Sequence, residues 1–332
     1  MSRREKVFVI SSMVVFCVAA VWLMKNPEEN TAKNGHRIAA VMPDVTNSFW
    51  KGVWDGIYEE AAAQGLKLSE YKYATGRDTQ ELNEKLETAF FSKPEGILVC
   101  ANQYTALQTR GLLEKIRRTG TPLVLCDTDT DASLRDAYVG VDNEKAGRDC
   151  AEYLLEKGEI SKAVIIKTGD EQISGATGQR EQAFLERIAR AEDSDEKDRE
   201  NAAGAGREPL ATEKLVLSGD GNNNYRVLEE KLLSLEAGTA LICFNSSTTV
   251  LVAQTVERLA RAEQTMVMGF SETEEALAYA QEGVIDALFT QDNGELGRKS
   301  AEVLEALIKG EEIQDSVIYI DMIPVIGGKE IR

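Results

Sequence analysis

The chain has 332 residues, with 38 lysines and arginines against 56 aspartates and glutamates, and a formal net charge of -18. Such an excess repels both a polyphosphate backbone and anionic headgroups. Nucleic acid is therefore excluded as a partner, and the charge keeps the body soluble. The length allows a short leader followed by a body large enough for two lobes of ordinary size, each with its own core.

In chain order, Arg3, Arg4 and Lys6 precede an apolar run from Val7 to Met24 that ends at Lys25. At about 1.5 Å per residue this run reaches across roughly 27 Å of hydrocarbon, and the basic flank favours leaving that end in the cytoplasm. Residues 1–25 therefore read as an N-terminal signal anchor, a single transmembrane helix, with all that follows extracytoplasmic at the cell membrane. A cleaved signal peptide is the alternative, but the run is long for one and no small-x-small site precedes Lys25. Cys17 follows Val14-Val15-Phe16, without the small residues of a lipidation site, so it reads as part of the span. Residues 26–35 (NPEENTAKNG) are polar and aperiodic, a tether.

The body then alternates short apolar runs with helical patterns. Strands are expected at Arg37–Met42, Leu66–Tyr73, Gly96–Cys100, Pro122–Cys126, Ala137–Val141, Ala163–Lys167, Lys214–Leu217, Ala240–Phe244, Met266–Phe270 and Ala287–Thr290. Phe49, Val53, Ile57 and Ala61 recur every four residues and line one helix face before Gly65. Asp78 and Glu81 have the spacing of a capping pair ahead of Leu82, Leu86 and Phe90. Strand-helix repetition with near-continuous apolar strands means an α/β protein with parallel sheets covered on both faces, and ten strands divide better into two lobes than one. Ala191–Glu213 interrupts the rhythm. It is dense in charge and poor in large apolar residues, so a disordered surface insertion is expected at residues 193–209.

Cys100, Cys126 and Cys243 end apolar strands and, with Cys150, read as small buried hydrophobes, although Cys100 and Cys126 could approach each other from neighbouring strands. No CxxC spacing or disulfide framework is present. Asp127-x-Asp129-x-Asp131 and Asp220-x-Asn222-x-Asn224 imitate the opening of a calcium loop, but the sixth positions are Ala132 and Tyr225 and the twelfth are Tyr138 and Lys231, so glycine and the bidentate glutamate are both missing. His36 is the single histidine, and no nucleophilic triad can be built around it. Phosphate-cradling glycine motifs are also absent. Neither a metal, a cofactor nor an enzymatic activity is expected.

What recurs is a set of polar groups and aromatics where strands end. Asn47-Ser48-Phe49-Trp50 follows the first strand, Asn102 the third, Asp127 the fourth and Asp142-Asn143 the fifth. In the second half Arg180 lies on the first turns of a helix, Asn222 follows LVLSGDG, Asn245 follows ALICF, Phe270 closes MVMGF and Gln291 follows ALFT. In open α/β folds ligands lie outside the carboxyl ends of strands. Amides, carboxylates and a guanidinium suit vicinal hydroxyls, and aromatics cover the C–H face of a sugar ring. Each residue also has a structural reading: Asn47 as a helix cap, Phe49 and Trp50 as core, Asp127 in a turn, Arg180 as a solvated charge.

The order and spacing of NSFW, ILVCAN, LVLCD, VGVDN, QREQAF, CFN, MGF and FTQ resembles the ribose-binding-type periplasmic sugar-binding proteins, the type 1 group related to the LacI repressor core, over roughly residues 36 to 325. The resemblance implies two Rossmann-like lobes joined by three hinge crossovers, near Val141–Asn143, Gln291–Asn293 and Asp315–Tyr319. Residues 36–141 with 292–317 would form the N-terminal lobe and 142–291 with 318–332 the C-terminal lobe. It implies ligand contacts from Asn47, Phe49, Trp50, Asn102 and Asp127 on one side and Arg180, Asn245, Phe270 and Gln291 on the other. The implied function is capture of a monosaccharide or similar small polar ligand for an ABC permease, or sensing that passes the closed state to a membrane histidine kinase. Ser48 stands in place of the common proline, Ser271 where many members carry an aspartate, and the region of Gly221 lacks an aromatic, so ribose itself is not implied. A transcriptional regulator would need a helix-turn-helix where this chain has its apolar run.

Overall fold

The computed structural model describes residues 35–45, 47–74, 79–101, 103–169, 175–201, 210–217, 221–327 and 329–330. The expected anchor, nearly all of the tether, Asp78 and Asn102 lie outside the described residues. Among the described residues no helix is long and apolar enough to cross a membrane.

The first lobe is built on six parallel strands: β1 (Arg37–Pro43), β2 (Lys67–Tyr73), β3 (Gly96–Val99), β4 (Leu123–Cys126), β5 (Ala137–Val141) and β11 (Val317–Ile320), in the order β11-β5-β4-β3-β1-β2. Side chains alternate across a strand, so β1 serves two cores. Ile38, Ala40 and Met42 pack with Val53, Trp54 and Ile57 of α1 (Ser48–Gln64) and with Leu296 and Leu304 of α9 (Asn293–Lys309). Ala39 and Val41 face Leu82 and Leu86 of α2 (Gln80–Phe91) and Leu113 and Ile116 of α3 (Gln103–Arg118). A sheet covered on both faces needs strands apolar throughout, which is why GILV and LVLC show no polar alternation. At the start of α2, Thr79 is the cap residue and makes no side-chain cap bond, while the Glu81 carboxylate accepts from Ala74 N–H at 2.9 Å. Glu81 thus ties down the preceding chain, and its expected capping partner Asp78 lies outside the described residues.

The second lobe holds seven strands in the order β13-β12-β10-β9-β8-β6-β7. They are β6 (Lys162–Thr168), β7 (Ala211–Leu217), β8 (Thr239–Cys243), β9 (Met266–Phe270), β10 (Ala287–Gln291), β12 (Met322–Ile326) and β13 (Lys329–Glu330). Its helices are α4 (Asn143–Glu156), α5 (Gly175–Asn201), α6 (Gly221–Leu233), α7 (Ser246–Arg258) and α8 (Glu274–Gln281). One core joins Val164, Ile166, Leu241 and Val267 to α6, α7 and α8, and the other joins Ile165, Ile242, Phe244, Phe270 and Phe289 to α4 and α5.

The chain changes sheet after β5, after β10 and after β11. Asp142 and Asp292 stand at the first two crossings, each capping the helix that follows by accepting from Lys145 N–H and Glu295 N–H at 2.8 Å. The third crossing falls at Asp321, later than the expected 315–319. β11 pairs with β5 from Val317↔Tyr138 to Ile320↔Val141, so residues 318–320 belong to the first lobe. Ile320 is drawn there by the core that also takes Met42 and Val139. This short connection also corrects the expectation of purely parallel sheets. A chain leaving the carboxyl end of β11 enters the second sheet at its cleft edge and must run away from it, so β12 lies antiparallel to β10, with Gln291↔Met322 in register. The expected disordered insertion is also shortened, because α5 continues to Asn201. Residues 192–201 contain no glycine or proline and include Glu, Lys and Arg at five of their ten positions, so the helix can propagate through them. Residues 202–209 lie outside the described residues.

All four body cysteines are buried, and none is joined in a disulfide among the described residues. Cys100 and Cys126 follow the paired residues Val99 and Leu125 on neighbouring strands and share one core.

Candidate functional site

Asp127 follows β4 with φ +68, a left-handed conformation that costs a non-glycine residue about 1 kcal/mol or more. Its backbone is held by three contacts. Asp127 N–H donates to Val139 O at 2.9 Å, Thr128 N–H turns back to Cys126 O at 2.8 Å, and the Tyr138 hydroxyl donates to Asp127 O at 2.9 Å. The phenol can cross its own strand only because residue 140 is glycine; a Cβ there would lie 1.8 Å from the Tyr138 hydroxyl. The strain is thus fixed by the sheet, and the Asp127 carboxylate is presented at the carboxyl edge.

Arg180 approaches from the second lobe on the first turns of α5. A Cβ on Gly147 of α4 would lie 2.2 Å from Arg180 O, so the two helices touch backbone to backbone at the residue that carries the guanidinium. Arg180 Nε donates to Asn143 Oδ1 at 2.8 Å and Nη1 donates to Phe244 O at 3.2 Å. The guanidinium carbon lies 4.8 Å from the centre of the Phe270 ring, which stacks on Phe289 at 4.9 Å and 19°. A cation over a desolvated ring gains about 1–2 kcal/mol, so Arg180 is fixed in direction by one hinge residue, one strand end and one aromatic.

The charges around Arg180 come from both lobes. Burial pushes the Asp127 carboxyl up to about 6; the Thr128 hydroxyl at 3.2 Å and the Arg180 charge oppose that rise, and the Glu272 charge adds to it. Burial likewise raises Glu272, against its own backbone N–H, the Ser246 hydroxyl at 3.3 Å and Arg180. Desolvation lowers Arg180 to about 10, opposed by Asp127, Glu272 and Tyr138. One guanidinium and two carboxylates therefore feel each other across the space between the lobes. Among the described residues, Arg180's hydrogen bonds go to Asn143 and Phe244 rather than to either acid, so the carboxylates retain unspent acceptor oxygens.

The other expected residues divide. Asn47 Oδ1 accepts from Trp50 N–H at 3.0 Å and caps α1, and Asn245 Oδ1 accepts from Thr248 N–H at 3.0 Å and caps α7. Both amides keep their NH2 groups. Phe49 is half-buried and meets Trp50 edge-on at 4.7 Å, while Trp50, 8% exposed, belongs to the first-lobe core. Two adjacent helical aromatics point in different directions, and here only Phe49 is left beside solvent. Phe270, 1% exposed, forms the floor beneath Arg180. Gln291 closes β10 and donates to Asn293 Oδ1 at 3.0 Å, within the second crossing. Asn222 lies in the first turn of α6, with its side chain outside the described residues.

Sequence reasoning missed Glu272 and the part played by Asn143 and Tyr138. Ser271, 2% exposed, turns to Thr273, their hydroxyls 3.0 Å apart. The cleft acid comes one residue later. The signal available was the acid directly after a strand-end residue that does not itself carry one. The acidic run after Asp127 has other partners: Asp129 pairs with Arg135 at 2.5 Å, and Asp131 caps a turn and meets Arg110 at 3.3 Å. A hollow between α4 and α5 is lined by paired charges, Arg148 with Glu144 at 3.5 Å and Arg190 with Glu186 at 3.8 Å.

Two sheets with their carboxyl edges facing one cleft, three crossings between them and charges converging from both sides define a two-lobed binding protein. The comparisons with known proteins agree. Residues 38–312 match the periplasmic binding protein domain, and the chain belongs to that family, whose members are binding domains rather than enzymes. A ribose import binding protein of Bacillus subtilis is 19% identical over 327 residues, covering 95% of this chain and 96% of that protein. Among solved structures, a glucose-galactose binding protein from Geobacillus stearothermophilus aligns with a TM-score of 0.70 at 20% identity, covering 88% of this chain and 98% of its own. The XylFII–LytSN complex aligns at 0.69 and 19%, covering 89% and 99%. At these identities the structural likeness establishes the fold.

Proposed function

We propose that this protein is an extracytoplasmic solute receptor that closes its two lobes on a monosaccharide or similar small polar ligand and presents the closed form to an ABC sugar permease. The observation that carries this reading is the convergence of Asp127 from the first lobe with Arg180 from the second. Neither can satisfy a ligand hydroxyl from its own lobe together with the other unless the cleft is shut. Ligand then favours closure by its extra affinity for the closed state. The contacts are proposed as Asp127, Arg180, Asn47, Asn245 and Gln291 to hydroxyls, with Phe49 against the ring and Phe270 supporting Arg180 from beneath; Asn102 and Asn222 complete the set. The sugar-binding names of the Bacillus and Geobacillus relatives support the ligand class.

A second reading, a sensor that docks its closed form on a membrane histidine kinase, draws support from the fold's likeness to XylFII bound to LytSN. The apolar run at residues 7–24 serves either role by holding the receptor at the membrane. A thermal-shift screen of pentoses, hexoses, polyols and nucleosides tests the receptor reading. A selective ligand at ~100 times its Kd adds about 2.7 kcal/mol to stability, and no shift from any of them would contradict it.

A further inference from the structure

We propose that Glu272 is the second carboxylate of the cleft and that, with Asp127, it makes the site select uncharged or amino-bearing sugars against sugar acids and sugar phosphates. This rests on the reading of the cleft as a sugar site and adds the charge class of the ligand.

The placement follows from the backbone. Ser271 N–H donates to Phe289 O at 3.1 Å, so the ladder of β9 and β10 runs one residue past the end of β9. The alternation of an extended chain therefore continues, and Glu272 falls on the same side as Phe270, the ring that Arg180 covers. Ser246 Oγ, directly after the Asn245 cap of α7, donates to Glu272 Oε2 at 3.3 Å and steers the carboxylate along the carboxyl edges of β8 and β9. Ser271 is not available for this task, since it is buried and engaged with Thr273.

A count of free valences gives the chemistry. Arg180 has spent Nε–H on Asn143 and one Nη1–H on Phe244, which leaves the second Nη1–H and both Nη2–H groups. Asp127 Oδ2 accepts from Thr128, and the Glu272 carboxylate accepts from Ser246 and from its own backbone N–H, so with about four lone-pair sites each the two carboxylates keep acceptor capacity for a ligand. Among the described residues the cleft thus sets two carboxylates against one guanidinium. Hydroxyls donate to such oxygens without adding charge, and an ammonium adds a favourable one. A carboxylate or phosphate on the ligand would have to approach two like charges in a desolvated space, where repulsion is screened far less than in water.

The test uses the full chain at pH 7.5 and matched probes: ribose, xylose, arabinose, glucose and galactose, the uronates of glucose and galactose, their 2-amino sugars, and glucose and ribose phosphates, each titrated by calorimetry. We expect an aldose or amino sugar to bind and its anionic counterpart to bind at least tenfold more weakly. Glu272→Gln should weaken the aldose and narrow the gap to the anion by about tenfold, with melting temperature unchanged or higher because a buried charge is removed. Glu272→Asp, which keeps the charge, should retain the discrimination. Equal or tighter binding of an anionic counterpart overturns the proposal, as does a Glu272→Gln protein that binds and discriminates like wild type. In that second outcome the aldose still binds and the receptor reading stands, whereas a panel without any binder removes both.

Discussion

Asp127 combines a left-handed backbone, half-burial and, among the described residues, no ion pair of its own, which is a costly arrangement for stability alone. Its folded pKa, about 6, lies above the ordinary 3.8, so between those values the native chain holds a proton that the unfolded chain has lost. The stability it contributes is therefore fully present below pH 4 and is lost as pH rises through about 6. Asp127→Asn should raise the melting temperature of the ligand-free protein at pH 8 and remove this dependence, while weakening ligand binding at least tenfold. A melting temperature that falls on substitution would contradict the assignment. Because a ligand hydroxyl donates to the ionised form, wild-type affinity should decline as pH drops below 6, measurable by titration calorimetry from pH 5 to 8. Asp127 and Phe270 were legible in the sequence because each closes or follows a strand, and Arg180 because it opens a helix at the same edge, although Phe270 proves to be a core residue as well. Glu272 was not, since register decides whether residue 271 or 272 faces the cleft, and register comes from the ladder to Phe289.

The pairing of α4 with α5 decides where Arg180 stands. The periodicity of both helices could be read directly, but not that Gly147 lets them meet backbone to backbone. Gly147→Ala places a Cβ 2.2 Å from Arg180 O, and overpacking of this kind typically costs 1–3 kcal/mol. We expect the variant to melt lower and to bind ligand more weakly, because α5 must shift and Arg180 Nε loses Asn143. Unchanged melting and affinity would show that the contact is slack. Strand positions and burial were visible as GILV, LVLC and TALIC, since continuous apolar runs suit a doubly covered sheet. The late crossing at Asp321 was not, because VIYI and MIPVI look alike in sequence and only the pairing with β5 and β10 assigns them to different lobes.

At the scale of the molecule, the family, two sheets and three crossings describe a cleft, and the proposed site draws its two parts from opposite walls. On the proposed reading, neither wall binds well without the other. The most direct measurement is calorimetry of the best-binding monosaccharide against wild type, Asp127→Ala in the first lobe and Arg180→Ala in the second, with melting curves to confirm folding. Each substitution removes a charge-assisted hydrogen bond worth roughly 1.5 to 3 kcal/mol, so each should lower affinity by about tenfold or more, on opposite sides of the cleft. A ligand that binds the Asp127→Ala and Arg180→Ala proteins as tightly as wild type would contradict the two-walled site.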